Sequence, residues 1–252
     1  MKSSTLVAAV FAVALFGTLF VGTTLAVESN PQTLPEESEV GAEMEATFEL
    51  TDLFDEFESW TLAVETELDN ATWTVRQYNQ AGSEIAREDT DGPDVTQSVD
   101  IDDGTSSIEI RVTGTTPEIE AFSYDPPDRF TVANITQQRE GGTARDIATH
   151  ETHHYTAESR EAREAIDRAQ AAVSESSSDS AESSLESAIS AYEGGNFENA
   201  INLAERAEDE ASQSQLIRMG LFAGGAAVIV LLLAVGGYRV YKSRQQGPSR
   251  LR

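Results

Sequence analysis

Between residues 44 and 136 the chain alternates apolar and polar positions. MEATFEL, WTLAVETEL, ATWTVRQY, VTQSVDI, SIEIRVTG and FTVANIT each place apolar side chains at about every second position, and a short segment around Ile119 to Tyr124 completes the set. A period of two puts successive side chains on opposite faces of a strand, and Val, Thr and aromatic residues suit that pleated surface. Turn chemistry separates the segments: Asp69-Asn70, Ala81-Gly82, Asp91-Gly92-Pro93, Asp102-Asp103-Gly104, Gly114 and Asp125-Pro126-Pro127. Short strands at this spacing predict a small antiparallel β-sandwich over 44–136. Trp60, Trp73, Ile85, Val99, Ile108, Ile110, Val112 and Phe122 are its expected core. Residues 27–43, rich in Pro, Ser and Glu, predict a flexible spacer.

Past Gly141-Gly142 the expected period becomes helical, and a three-helix segment is predicted over 143–215. Its first helix would run from Thr143 to Val173, with Tyr155, Ala162, Ile166 and Ala169 on one face. Asp179, with Glu182 three residues on, is the expected cap of the second helix, and Asn196 that of the third. The stretch AISAYEGGNFENAINLAERA resembles one helix–turn–helix unit of tetratricopeptide-like repeats, with Tyr192 and Phe197 bracketing Gly194 and Gly195. A solenoid groove needs about three stacked repeats, and no second copy follows. These four residues are therefore expected to pack the corner of a helical hairpin.

Two apolar runs flank this region. Lys2, the run Leu6 to Val21 and Thr24-Leu25-Ala26 predict a signal peptide over 1–26. Residues 219–241 meet the length of about twenty apolar residues that spans a bilayer as a helix. The tail 242–252 is basic and free of acid, so the positive-inside rule places it in the cytoplasm and the acidic body outside the cell. Gly220 and Gly224 have the G-x-x-x-G spacing that packs membrane helices, a route to a homodimer.

Charge narrows the function classes. The chain carries 44 Asp plus Glu against 17 Lys plus Arg, a formal net charge of −27, which excludes nucleic acid as an expected partner. There is no Cys, so disulfides and thiol chemistry are excluded. The acid excess, scarce Lys and abundant small residues resemble proteins of salt-loving archaea. Together with the strands and the apolar runs, the chain resembles haloarchaeal single-pass cell-surface proteins with an immunoglobulin-like ectodomain. That resemblance implies an α+β protein: an immunoglobulin-like sandwich, a short helical bundle and one transmembrane helix, set in the lipid bilayer beside a cell-envelope or membrane protein partner.

Candidate chemistry is sparse. His150-Glu151-Thr152-His153-His154 matches HExxH. On a helix, His150 and His154 would share a face as zinc ligands and Glu151 would be the general base of a metallopeptidase. A third protein ligand, which catalytic zinc usually needs, is not evident. Asp89 and Asp91 before Gly92 partly resemble a calcium loop but lack its full pattern. Asn70-Ala71-Thr72 and Asn134-Ile135-Thr136 are glycosylation sequons. No phosphate loop or nucleophile elbow occurs. The expected function is thus non-catalytic binding or scaffolding at the cell envelope, with no cofactor. A zinc metallopeptidase and an accessory or sensory subunit of a membrane complex are the alternatives.

Overall fold

The computed structural model describes residues 26–139, 142–176 and 178–214. Alternation builds two five-stranded sheets. The first has the order β1(Glu28–Thr33), β3(Glu43–Thr51), β8(Thr105–Thr115), β5(Asp69–Asn79) and β6(Glu84–Asp91). The second has the order β2(Glu37–Glu39), β10(Arg145–Tyr155), β9(Arg129–Gln138), β4(Ser59–Glu65) and β7(Asp94–Asp100). All pairings are antiparallel except β2 with β10. The inward rows of four strands are fully enclosed: Phe48 and Leu50 on β3, Leu62 and Val64 on β4, Trp73 and Val75 on β5, Ile108, Ile110 and Val112 on β8. Each such side chain contributes about 1.5–3 kcal/mol of apolar burial. Both indoles satisfy their N–H inside the fold, Trp60 Nε1 donating to the Leu53 carbonyl (2.9 Å) and Trp73 Nε1 to that of Gly92 (3.0 Å).

The sandwich is larger than 44–136. The expected spacer holds strands β1 and β2, and the chain from β1 to β2 passes from one sheet to the other. Pro31 is tolerated because β1 is an edge strand. Val40 N–H donates to the Tyr155 carbonyl and Thr152 Oγ1 to that of Pro35. At the other end β10 occupies residues expected to be helical. Ile119 to Tyr124 form no strand; they lie in the connection between β8 and β9. Ile85 sits on edge strand β6 at 40% exposure rather than in the core, and Phe122 packs with the helices.

Helix α1(Ala157–Ser174) starts at a capping box made by Thr156 and Ser159. Helix α2(Asp179–Glu193) is capped by Ser178, one residue before the expected Asp179. Helix α3 occupies 197–214 of the described chain, and the Asn196 side chain accepts from Asn199 N–H at its start. Ala-rich stripes bring the three together around Ile166, Leu185 and Tyr192. Gly195, at φ 71°, makes the α2–α3 turn in the left-handed region that disfavours a side chain.

Two expectations are corrected here. Among the described residues no helix is long and apolar enough to cross a membrane. Helix α1 has 18 residues but carries Glu158, Arg160, Arg163, Glu164 and Asp167, charges that a spanning helix would bury at high cost. Among the described residues the fold is α+β with two sheets and three helices and holds no membrane-spanning helix, which corrects the expected single-pass surface protein in a bilayer. The stretches on which that expectation was placed, 1–25 and 219–252, with Gly220 and Gly224, lie outside the described residues. The immunoglobulin-like pattern also gives way: seven to nine antiparallel strands define it, whereas here two five-stranded sheets include a parallel edge pair.

At Gly114 an added Cβ would lie 2.9 Å from Leu68 Cβ and 3.0 Å from the Asp69 carbonyl oxygen. Gly114→Ala is expected to destabilise the fold by about 1–3 kcal/mol through overpacking, read as a lowered urea midpoint; an unchanged midpoint would contradict this packing.

Candidate functional site

The HExxH residues lie on strand β10, which removes the geometry the motif needs. Four residues along a strand cover about 13 Å, and a zinc–nitrogen bond is about 2 Å. His150 and His154 point to the same side but into different surroundings. The His150 ring stacks on Phe48 (centroids 4.5 Å, 19°) and its Nε2 is 2.8 Å from Ser29 Oγ. His154 is buried and its Nε2 donates to the Asp128 carboxylate at 3.0 Å. Glu151 is exposed on the opposite face. Among the described residues no group of three His, Asp or Glu is placed to hold a metal ion, so the zinc alternative is overturned and the calcium loop finds no support.

Asp128 organises this end of the second sheet. Its carboxylate holds His154 on the inward side, and its carbonyl accepts from His153 Nδ1 (2.7 Å) on the outward side. That bond fixes the His153 tautomer: Nδ1 carries the proton, and Nε2 of the neutral ring is an acceptor.

The outward face of β10 forms one wall of a cleft of about 700 Å³ between the second sheet and α1. Glu37, His153 and Arg129 lie in one row across β2, β10 and β9. Arg160, Arg163, Glu164 and Asp167 of α1 face them, and Leu34, Pro35 and Pro127 add apolar surface. Arg160 is ion-paired with Glu37, donates to Tyr155 Oη (2.8 Å) and covers the Tyr155 ring at 4.1 Å. Arg163 donates twice to the Tyr124 carbonyl and lies 4.7 Å over the Tyr124 ring and 5.9 Å over that of Tyr192. Burial and then a hydrogen bond to Asp167 push the Tyr124 phenol well above its ordinary value, and burial raises that of Tyr192. Among the described residues Arg129, Arg139, Arg163 and Arg168 have no carboxylate within ion-pair distance, whereas Arg76, Arg87, Arg111, Arg145, Arg160 and Arg206 each do; of the unpaired four, Arg129 and Arg163 line the cleft.

The hairpin residues meet the sandwich at the same joint. Phe122, from the β8–β9 connection, packs edge-on against Phe197 (4.7 Å) and Tyr192 (6.2 Å), and Gly195 passes 3.8 Å from the Phe122 ring at the position a Cβ would take. Gly194 caps α2. The sequons lie apart from the cleft: Asn70 is exposed at the start of β5 with φ 51°, and Asn134 on β9 accepts from Thr149 Oγ1 (3.1 Å). Arg129, Arg160, Arg163 and the role of His153 were not visible in the sequence. The usable signal is the scarcity of cations, and it becomes specific only when the ion pairs are seen.

No family model matches the chain, and no curated protein matches it. The resemblance to haloarchaeal surface proteins therefore finds no family support and is set aside. Among solved structures, the sporulation control protein from Bacillus subtilis aligns at 11% identity over 56% of this chain and 54% of its own, with a TM-score of 0.28. A Pseudomonas fluorescens alkylpurine DNA glycosylase bound to DNA aligns at 10% identity over 52% of this chain and 30% of its own, with a TM-score of 0.26. A Bacteroides thetaiotaomicron lipoprotein aligns at 12% identity over 53% of this chain and 83% of its own, with a TM-score of 0.26. The chain thus spans about half of the first and under a third of the second. Likenesses this remote carry no argument about function.

Burial holds the His150 imidazole below its ordinary value. The folded state favours the neutral ring, so this stabilisation is complete above the ordinary imidazole range and is lost as pH falls through the folded value. The denaturation midpoint of the protein is expected to drop between neutral pH and about pH 5, and to drop less in His150→Gln; equal slopes would refute the assignment. Arg163→Met is expected to cost about 1–3 kcal/mol by removing charge-assisted bonds and ring contacts, measured by chemical denaturation, with the loss absent if Arg163 only decorates the surface.

Proposed function

We propose that the protein is a recognition module that binds its ligand in the cleft between the second sheet and α1. The observation that carries this reading is the pair of guanidinium groups, Arg129 and Arg163, that face the cleft without a carboxylate partner in a chain of net charge −27. With acids so abundant, a cation left unpaired in a concave site retains charge for something outside the chain. The cleft is pre-formed. Sheet register positions one wall and a capped helix the other, and Tyr rings hold two of the arginines in place, which lowers the ordering cost of binding. Its lining supplies charge, hydrogen-bond acceptors and a few apolar patches, the mix that fixes a small ligand's orientation.

The test is an NMR titration of the full-length chain with alanine, alanylalanine, inorganic phosphate, citrate, spermidine and glucose. Saturable shifts are expected at Glu36, Arg129, Glu151 to Tyr155 and Arg160 to Asp167 with at least one of these, and are expected to vanish in Glu164→Trp, which plugs the cleft. Shifts that cluster elsewhere, or no saturable shift, would overturn the proposal.

A further inference from the structure

We infer that the ligand of the cleft is a compact zwitterion, an amino acid or short peptide with a free oxyanion and a free ammonium group. This rests on the recognition reading above and goes beyond it by assigning the ligand's chemistry. Arg129 and His153 are direct cross-strand partners, so their Cβ atoms lie about 5 Å apart. The first has no carboxylate partner among the described residues and donates only. The second has its Nδ1 proton committed to the Asp128 carbonyl, so its free Nε2 accepts from a ligand N–H. Glu151, two residues before His153 on the same face of β10, lines the cleft and adds a negative charge on the acceptor side. A donor site for an oxyanion thus stands one strand away from an acceptor site for an ammonium.

The remaining charges select against simpler ligands. Glu37 is neutralised by Arg160, and Asp167 accepts from the Tyr124 hydroxyl. Glu36, Glu151, Glu164 and Asp167 remain on the lining without a cation partner, opposite two unpaired guanidiniums. An anion alone meets four carboxylates outside any ion pair, and a cation alone meets Arg129 and Arg163. A zwitterion satisfies both sets, and groups one strand apart match the span of one or two residues, since consecutive Cα atoms are about 3.8 Å apart.

Calorimetry on the full-length chain with alanylalanine, its N-acetyl derivative and its C-terminal amide tests this, with NMR mapping to locate each. Alanylalanine is expected to bind in the cleft, with each blocked form roughly tenfold or more weaker, the loss of one charge-assisted contact. Arg129→Gln is expected to erase the discrimination against the amide and keep that against the acetylated form; Glu151→Gln is expected to do the reverse. Blocked and free forms binding equally, or Arg129→Gln leaving carboxylate discrimination intact, would overturn the assignment. If the dipeptides fail while phosphate, citrate, spermidine or glucose maps to the cleft, the zwitterion assignment falls and the recognition module stands. If no probe maps there, both fall.

Discussion

Asp128 is the contact on which this molecule's geometry turns. With one carboxylate and one carbonyl it grips two adjacent histidines that face opposite sides of the same strand. The inward grip closes the core beneath Phe130, whose ring lies 5.1 Å from His154. The outward grip aims an imidazole into the cleft. Helix α1 begins just past the end of the strand, so the same residue sets the position from which α1 leaves the sandwich. Buried polar groups need partners, and an unmet one costs about 1–3 kcal/mol. The pairing at this joint therefore specifies a single arrangement of sheet, helix and cleft.

Charge is distributed to match. The chain carries far more acids than bases, and six of the ten described arginines are ion-paired with carboxylates. Exposed pairs of this kind contribute little to stability, about 0–1 kcal/mol each. They leave four described arginines outside any ion pair, of which Arg129 and Arg163 line the cleft and Arg139 and Arg168 do not. Edge strand β6 shows the other use of charge: Glu84, Arg87, Glu88 and Asp89 on its exposed length discourage pairing with a second sheet.

Much of the sandwich was legible because its inward positions are apolar. Trp60, Trp73, Val99 and the Ile108, Ile110, Val112 row announce themselves by alternation, and all are buried. Strand β10 was not legible because its inward row is polar. His150, Thr152 and His154 occupy it, so hydropathy shows no alternation, although Thr and His are poor helix formers. Two bulges, one at Ile147 and one opposite His150, further break the period. Strands β1 and β2 were hidden for a different reason: almost every residue in them is exposed, and their existence depends on backbone pairing with β3 and β10. The cleft was illegible because its members come from β9, β10, α1 and the β1–β2 connection, far apart in sequence, and what distinguishes Arg129 from Arg145 is only what each touches.

The segment that crosses from β1 to β2 gives the cleft its outer wall through Leu34, Pro35, Glu36 and Glu37. It is held at one end by pairing to β3 and at the other by three residues of parallel ladder on β10. Wall and floor are thus separate pieces of chain whose association creates the concavity. By linkage, whatever binds there also binds the strap down, and whatever loosens the strap weakens the ligand by the same factor. The amino-terminal strap and the occupant of the cleft behave as two ligands of one sheet edge, each reporting on the other.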